Sequence, residues 1–319
     1  MLTAWRSLAK SRFFSALNII GLSTGMAVFL LVAQYVYVEQ SYEDFLPEAN
    51  RVYRVYLETY LNKDLVTRSA ENYPGAGPAL KAEFPEVLGY ARLYNMGYKN
   101  NVIITNEEAR PDPVAFKHRQ FLYADSAFLP MLGYPMAEGD ASQALSQPNT
   151  AVISEEYARR YFGTSEAVGK MLRLQDDDYN NELVTVTGVF KNLPPETHLK
   201  FDVLFSYRTL FSRFEGARDR YDQSWQRKDM YTFISLREDA DPVLFESKLP
   251  ALVTKYKPDN TQRSQEDVLR LQPLKSIHLT SNLAEEAETN GDKRIVDFIS
   301  MIGLFVLVIA WITYINLAT

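Results

Sequence analysis

Three spacings in this sequence could carry chemistry. Ser7-Leu8-Ala9-Lys10 puts a serine three residues before a lysine, the arrangement in which an amine can activate a hydroxyl nucleophile. It lies among the basic residues that open the chain, beside a long apolar run and without the companion motifs of such enzymes, so it reads as a basic flank. Asp176, Asp178 and Asn180 start like a calcium loop. Asn181 then stands where a glycine must turn, and Thr187 where a bidentate glutamate must close the shell, so a solvated hairpin turn is the reading. His118, His198 and His278 are spaced 80 residues apart, none with a second histidine at ligand spacing, and read as surface or hydrogen-bonded structural residues. No Gly-x-x-x-x-Gly-Lys-Ser/Thr phosphate loop occurs, so any ATP that drives this protein is hydrolysed by another chain. The expectation is a protein without catalytic, metal or cofactor-binding residues of its own.

The elements around these residues say more. No charged residue occurs from Phe13 to Val38 or from Phe298 to Thr319. Each run exceeds the roughly 20 apolar residues that cross a bilayer. The first lacks the short h-region and small-residue cleavage site of a signal peptide, so it is expected to remain as an anchor. At 1.5 Å per residue it reaches about 39 Å, longer than the hydrocarbon layer. Arg6, Lys10 and Arg12 precede it without an acid, which predicts a cytoplasmic N-terminus. Leu2, Trp5, Ala9 and Phe13 share one helical face, so residues 1–12 read as an interfacial helix anchored by Trp5, Arg6, Lys10 and Arg12. Gly21 and Gly25 form a Gly-x-x-x-Gly pair, a pointer to close helix packing in the membrane.

Between the runs, Glu39–Arg294 holds 31 of the 34 basic and 39 of the 40 acidic residues, a net −8, which makes nucleic acid an unsuitable partner. With no cysteine, this exported segment needs a self-sufficient core. Short strands and helices alternate along it. Arg51–Tyr60 sets Tyr53, Val55 and Leu57 against Arg54, Tyr56 and Glu58, the pattern of a half-buried strand. Pro78–Phe84 reads as a helix, Leu88–Tyr94, Val102–Ile104 and Phe116–Tyr123 as strands, and Asp125 as the cap of a helix to Leu132. Ala151–Ile153 leads into a helix capped by Ser154 and ended by Gly163. Met171–Leu174 and Leu183–Phe190 form a hairpin, Tyr231–Leu236 and Leu269–Leu274 are strands, and Asp241 caps a helix to about Lys257. The class is α+β. The 20 tyrosines and 18 phenylalanines suit cross-strand packing better than a ligand box.

Four stretches carry a family resemblance: Ala4-Trp5-Arg6-Ser7-Leu8 with Asn18–Gly25; Ala151-Val152-Ile153-Ser154-Glu155 with Ala158–Gly163 and Ala167–Lys170; Leu271–Ser281; and Ala310–Thr319. Together, and in this order, they resemble the FtsX-like permeases of ABC transporters with a MacB-like periplasmic core domain. The likeness spans nearly the whole chain. Family members continue into further spans and a basic loop, so this chain looks like the N-terminal portion of a longer permease.

The resemblance implies an interfacial helix (1–12), a first transmembrane helix (13–40), a periplasmic core domain (41–294) and a second transmembrane helix (295–319). It divides the core into a membrane-proximal part, about 45–98 and 227–290, and an inserted subdomain, about 99–226. It implies a permease subunit in a bacterial inner membrane, with no cofactor in this chain. The implied partners are an ABC-type ATPase subunit that hydrolyses ATP, a second permease copy or half, membrane lipid, and a periplasmic adaptor or substrate. Motion of the long helices would then be relayed outward for export or extrusion. A two-span receptor whose periplasmic domain senses a ligand shares this topology. A membrane-tethered enzyme lacks its catalytic residues.

Overall fold

The structure, a computed structural model, describes residues 12–95, 102–106, 114–118, 122–176, 181–258 and 265–318. The interfacial helix expected before Arg12, with Trp5, Arg6 and Lys10, lies outside these residues, as do Asp178 and Asn180 of the hairpin turn. The two apolar runs form the long helices α1 (Arg12–Gln40) and α8 (Lys293–Ala318). Segments Ala16–Gln40 and Lys293–Ile315 are long and apolar enough to cross a membrane. Leu31 and Trp311 leave about two thirds of their surface uncovered, at 68% and 66%. Water would penalise such exposure, and lipid does not.

The chain falls into two units. One comprises Met1–Tyr42, His278–Thr280 and Asn290–Thr319; the other comprises Glu43–Ile277 and Ser281–Thr289. The second unit is built on one mixed sheet. Its strands are β1 (Val52–Leu61), β2 (Asp64–Ser69), β3 (Val87–Asn95), β4 (Val102–Asn106), β5 (Val114–His118), β6 (Leu122–Ala124) and β7 (Met136–Glu138). They continue as β8 (Thr150–Ser154), β9 (Met171–Asp176), β10 (Asn181–Phe190), β11 (Val203–Ser206), β12 (Tyr231–Leu236) and β13 (Gln265–Pro273). The order is β13-β1-β12-β3-β6-β11-β8-β10-β9-β4-β5, with β2 on β1 and β7 on β10. β8 with β10 and β6 with β11 are parallel, and the other pairs are antiparallel. Helices α2 (Ala76–Glu83), α3 (Phe128–Leu132), α4 (Glu155–Phe162), α5 (Pro242–Glu246) and α6 (Leu249–Tyr256) belong to the same unit. Helix α7 (Ile277–Thr280) follows β13 after a short 3-10 turn.

Local signals act at the positions expected of them in α4. Ser154 Oγ accepts from the Tyr157 N–H, and Gly163 ends the helix in the left-handed region at φ 71°. Four expectations need correction. Asp125 does not cap α3, whose N-cap is Ala127; its carboxylate is taken by Arg92. The helix after Asp241 breaks in two. Pro250 has no N–H, and its ring would clash with the Glu246 carbonyl, so α5 stops at Glu246 and α6 begins at Leu249. The polar face of β1 is not solvated, because Arg54 and Glu58 are 1% and 3% exposed. Phe116–Tyr123 contains two strands, and β2, β7 and β11 carry no alternation strong enough to be read.

Candidate functional site

The site follows from the two long helices and the residues that finish them. Small residues let α1 and α8 approach. A Cβ at Gly25 would lie 2.9 Å from the Ala310 Cβ, and one at Gly303 would lie 2.7 Å from Val32 Cγ1. Gly25 and Val32 are seven residues apart, as are Gly303 and Ala310, so the contacts repeat in an antiparallel heptad register. Nothing lies within 4 Å of a Cβ at Gly21. The sequence reading missed Gly303, which has no second glycine at four-residue spacing to flag it. Polar groups inside α8 are satisfied locally: Ser300 Oγ donates to the Val296 carbonyl at 2.7 Å, and Thr313 Oγ1 to the Ile309 carbonyl at 2.9 Å. Lys293 and Asp297 pair one turn apart at 2.9 Å, where α8 begins. The side chain of Arg12, at the start of α1, is not among those described.

At the far end of the same unit, four residues form a collar. Glu39 sits in the last turn of α1, and its Oε2 lies 2.8 Å from His278 Nε2. The imidazole can donate from Nε2 to this oxygen. Tyr42 stacks on the imidazole, with centroids 3.3 Å apart and planes 2° from parallel. Gly291, just before α8, closes the group. A Cβ there would lie 3.0 Å from both Glu39 Oε2 and His278 Nε2. The collar thus brings the end of α1 beside the residue that precedes α8 by two positions, and a side chain at Gly291 would press on Glu39 and His278.

In the second unit, the chain that follows each part of the collar is held by a buried charge. Glu43 takes φ 64° and is 1% exposed. Its Oε1 accepts from the Thr197 hydroxyl at 2.9 Å and from the His198 backbone N–H and ring Nδ1, both at 2.7 Å. Burial pushes the Glu43 carboxyl up, but the His198 ring, its backbone N–H and the Thr197 hydroxyl together hold it below the ordinary range. Arg54 does the same for the segment after Thr280. It donates to Glu286 at 2.6 and 2.9 Å, to Ser281 Oγ at 2.7 Å and to Gln272 Oε1 at 2.5 Å. Neither anchor was legible, since Glu43 and Arg54 resemble surface charges in sequence. His118 lies in β5, and among the described residues no group of three or more His, Cys, Asp or Glu is placed to hold a metal.

Within the first unit, α1 and α8 pack closely at Gly25 and Gly303. Within the second, Glu43 and Arg54 are fixed by buried polar partners.

Most of the chain is similar to known proteins. The family described as the MacB-like periplasmic core domain matches residues 15–252. No curated protein matches the chain. A domain from Porphyromonas gingivalis, described as belonging to a candidate permease protein, superposes with a TM-score of 0.58 at 21% identity, covering 72% of this chain and 91% of that one. The periplasmic region of MacB from Actinobacillus actinomycetemcomitans gives 0.47 at 9% identity, covering 72% and 91%. The extracellular domain of the noncanonic ABC-type transporter YknZ from Gram-positive bacteria gives 0.39 at 13% identity, covering 68% and 99%.

Proposed function

Because the chain belongs to the family with the MacB-like periplasmic core domain, within the ABC-type permeases, we propose that it is a permease subunit that converts ATP hydrolysis by a partner into movement of its periplasmic domain. The ATPase is a separate chain in the cytoplasm, and two permease copies or halves form the working assembly in a bacterial inner membrane, with the N-terminus cytoplasmic. ATP binding shifts the cytoplasmic ends of α1 and α8. The helices move as a pair because Gly25 and Gly303 seat them on Ala310 and Val32. Outside, the moving domain grips or expels a substrate or acts on an adaptor.

The observation that carries this reading is the close packing of α1 on α8 at Gly25 with Ala310 and Val32 with Gly303, which would make the two helices move together. The two-part division of the core, about 45–98 with 227–290 against 99–226, belongs to the same reading. One buried cluster drawn from residues 55–87 and 225–269 and another from 94–230 accord with it, while a third packs Leu93, Phe233 and Leu274 against Phe128, Phe190 and Leu204 across the two parts.

The test uses the absence of cysteine from the chain. A single spin label at Lys63→Cys, on the β1–β2 turn, reports the distance between copies in the assembly with its ATPase. ATP should change that distance. Gly25→Leu should keep ATP turnover and abolish the change. An unchanged response in Gly25→Leu, or none in the unsubstituted helix pair, rejects the mechanism. A response to a periplasmic ligand without ATP would favour the receptor reading.

A further inference from the structure

Beside the start of α3, in the second unit, lies a cavity of about 440 Å³, within the size range of small-ligand pockets. Its floor is Arg92, 1% exposed. Nε and one terminal nitrogen bond Asp125 at 2.8 and 3.2 Å, and that terminal nitrogen also meets Asp222 Oδ1 at 3.0 Å. The other terminal nitrogen reaches the carbonyls of Pro74, Tyr221 and Asp222. The Tyr207 ring lies 4.5 Å from the guanidinium carbon. Arg92 is therefore saturated and fixed, and it occupies both carboxylates that line the cavity.

The rim differs. Arg208 and Arg218 also line the cavity, are exposed, and form no ion pair among the described residues. Arg218 sits 5.9 Å from the centroid of Phe211, which with Tyr90 supplies aromatic wall. Arg218 leads into the π-helical turn Asp219–Gln223, a rare conformation that recurs at functional sites, and Arg92 pins its carbonyls. The segment between the membrane runs has eight more acids than bases, whereas the cavity lining holds three arginines, Arg92, Arg208 and Arg218, against two aspartates, Asp125 and Asp222. A guanidinium offers a fork of donors that matches a carboxylate or phosphate.

We propose that this cavity binds a small organic anion, with Arg208 and Arg218 gripping its carboxylate or phosphate and Phe211 and Tyr90 covering its apolar body. The experiment titrates the full chain in nanodiscs with benzoate and with phenyl phosphate, using benzamide as the neutral control, by calorimetry. At least one anion should bind saturably, benzamide should not, and Arg208→Ala with Arg218→Ala should weaken binding tenfold or more. Arg208→Gln with Arg218→Gln serves equally if the alanine pair melts differently from the parent. Preference for benzoate or for phenyl phosphate identifies the anionic group. No saturable binding of either anion, equal binding of benzamide, or affinity unchanged by removing both arginines overturns the proposal.

Discussion

Glu43 shows how much one side chain can hold. It is a non-glycine residue in the left-handed region, and its buried carboxylate is anchored on Thr197 and His198. Because its folded pKa is depressed, the stability it contributes is present above the unfolded carboxylate pKa and lost as pH falls through the folded value. Urea unfolding of the chain in detergent should therefore show a midpoint that drops on acidification below the ordinary glutamate range. In Glu43→Gln that drop should be smaller, and stability near neutral pH should fall by about 1–3 kcal/mol. A full acid dependence in the variant would remove Glu43 from this role. Gly291 can be examined by spectroscopy. Gly291→Ala should displace Glu39 from His278, because the new Cβ would lie 3.0 Å from both partners. The hydrogen-bonded imidazole N–H resonance of His278 should then disappear from nitrogen-15 spectra; its persistence would mean that the collar yields to a methyl group.

Among the elements, α4 is the most completely specified by local signals. Ser154 caps it, Glu155 and Glu156 face the positive helix end, Arg159 and Arg160 face the negative end, and Gly163 stops it. Each of these acts within one turn, so residue types along the chain are enough to reveal them. Ser154→Ala should cost about 1 kcal/mol, seen as a lower urea midpoint with unchanged slope; no shift would mean that burial of Ala158 and Tyr161 holds the helix without its cap. The break between α5 and α6 is equally local in cause. Asp241 and Pro242 start a helix so clearly that the sequence predicts one element, yet Pro250 divides it. Strand β1 marks the limit of such reading. Its alternation predicted one solvated face, but it pairs with β13 along its whole length, with β12 at its start and with β2 at its end. Partners 212 to 232 residues away cover the polar face, with Arg270 on Glu58 and Glu286 on Arg54.

For the molecule as a whole, the topology gives a direct test. A cysteine at Lys63 should react with a membrane-impermeant maleimide in cells whose outer membrane has been opened, whereas one at Ser7 should react only after the inner membrane is broken. The reverse pattern would invert the orientation expected from Arg6, Lys10 and Arg12.

The sequence by itself determined the two apolar helices, the α+β class and the caps of α4. Each depends on composition over one segment or on donors and acceptors within a turn, so neighbours along the chain suffice. Only the tertiary structure decided which glycines meet the partner helix, with Gly25 and Gly303 in contact and Gly21 open. It alone buried Glu43, Arg54 and Arg92 among partners far along the chain, and left Arg208 and Arg218 at a cavity rim. Those outcomes depend on register and strand order. A charge is buried or exposed according to what the fold brings to it, and no residue type or short spacing encodes that.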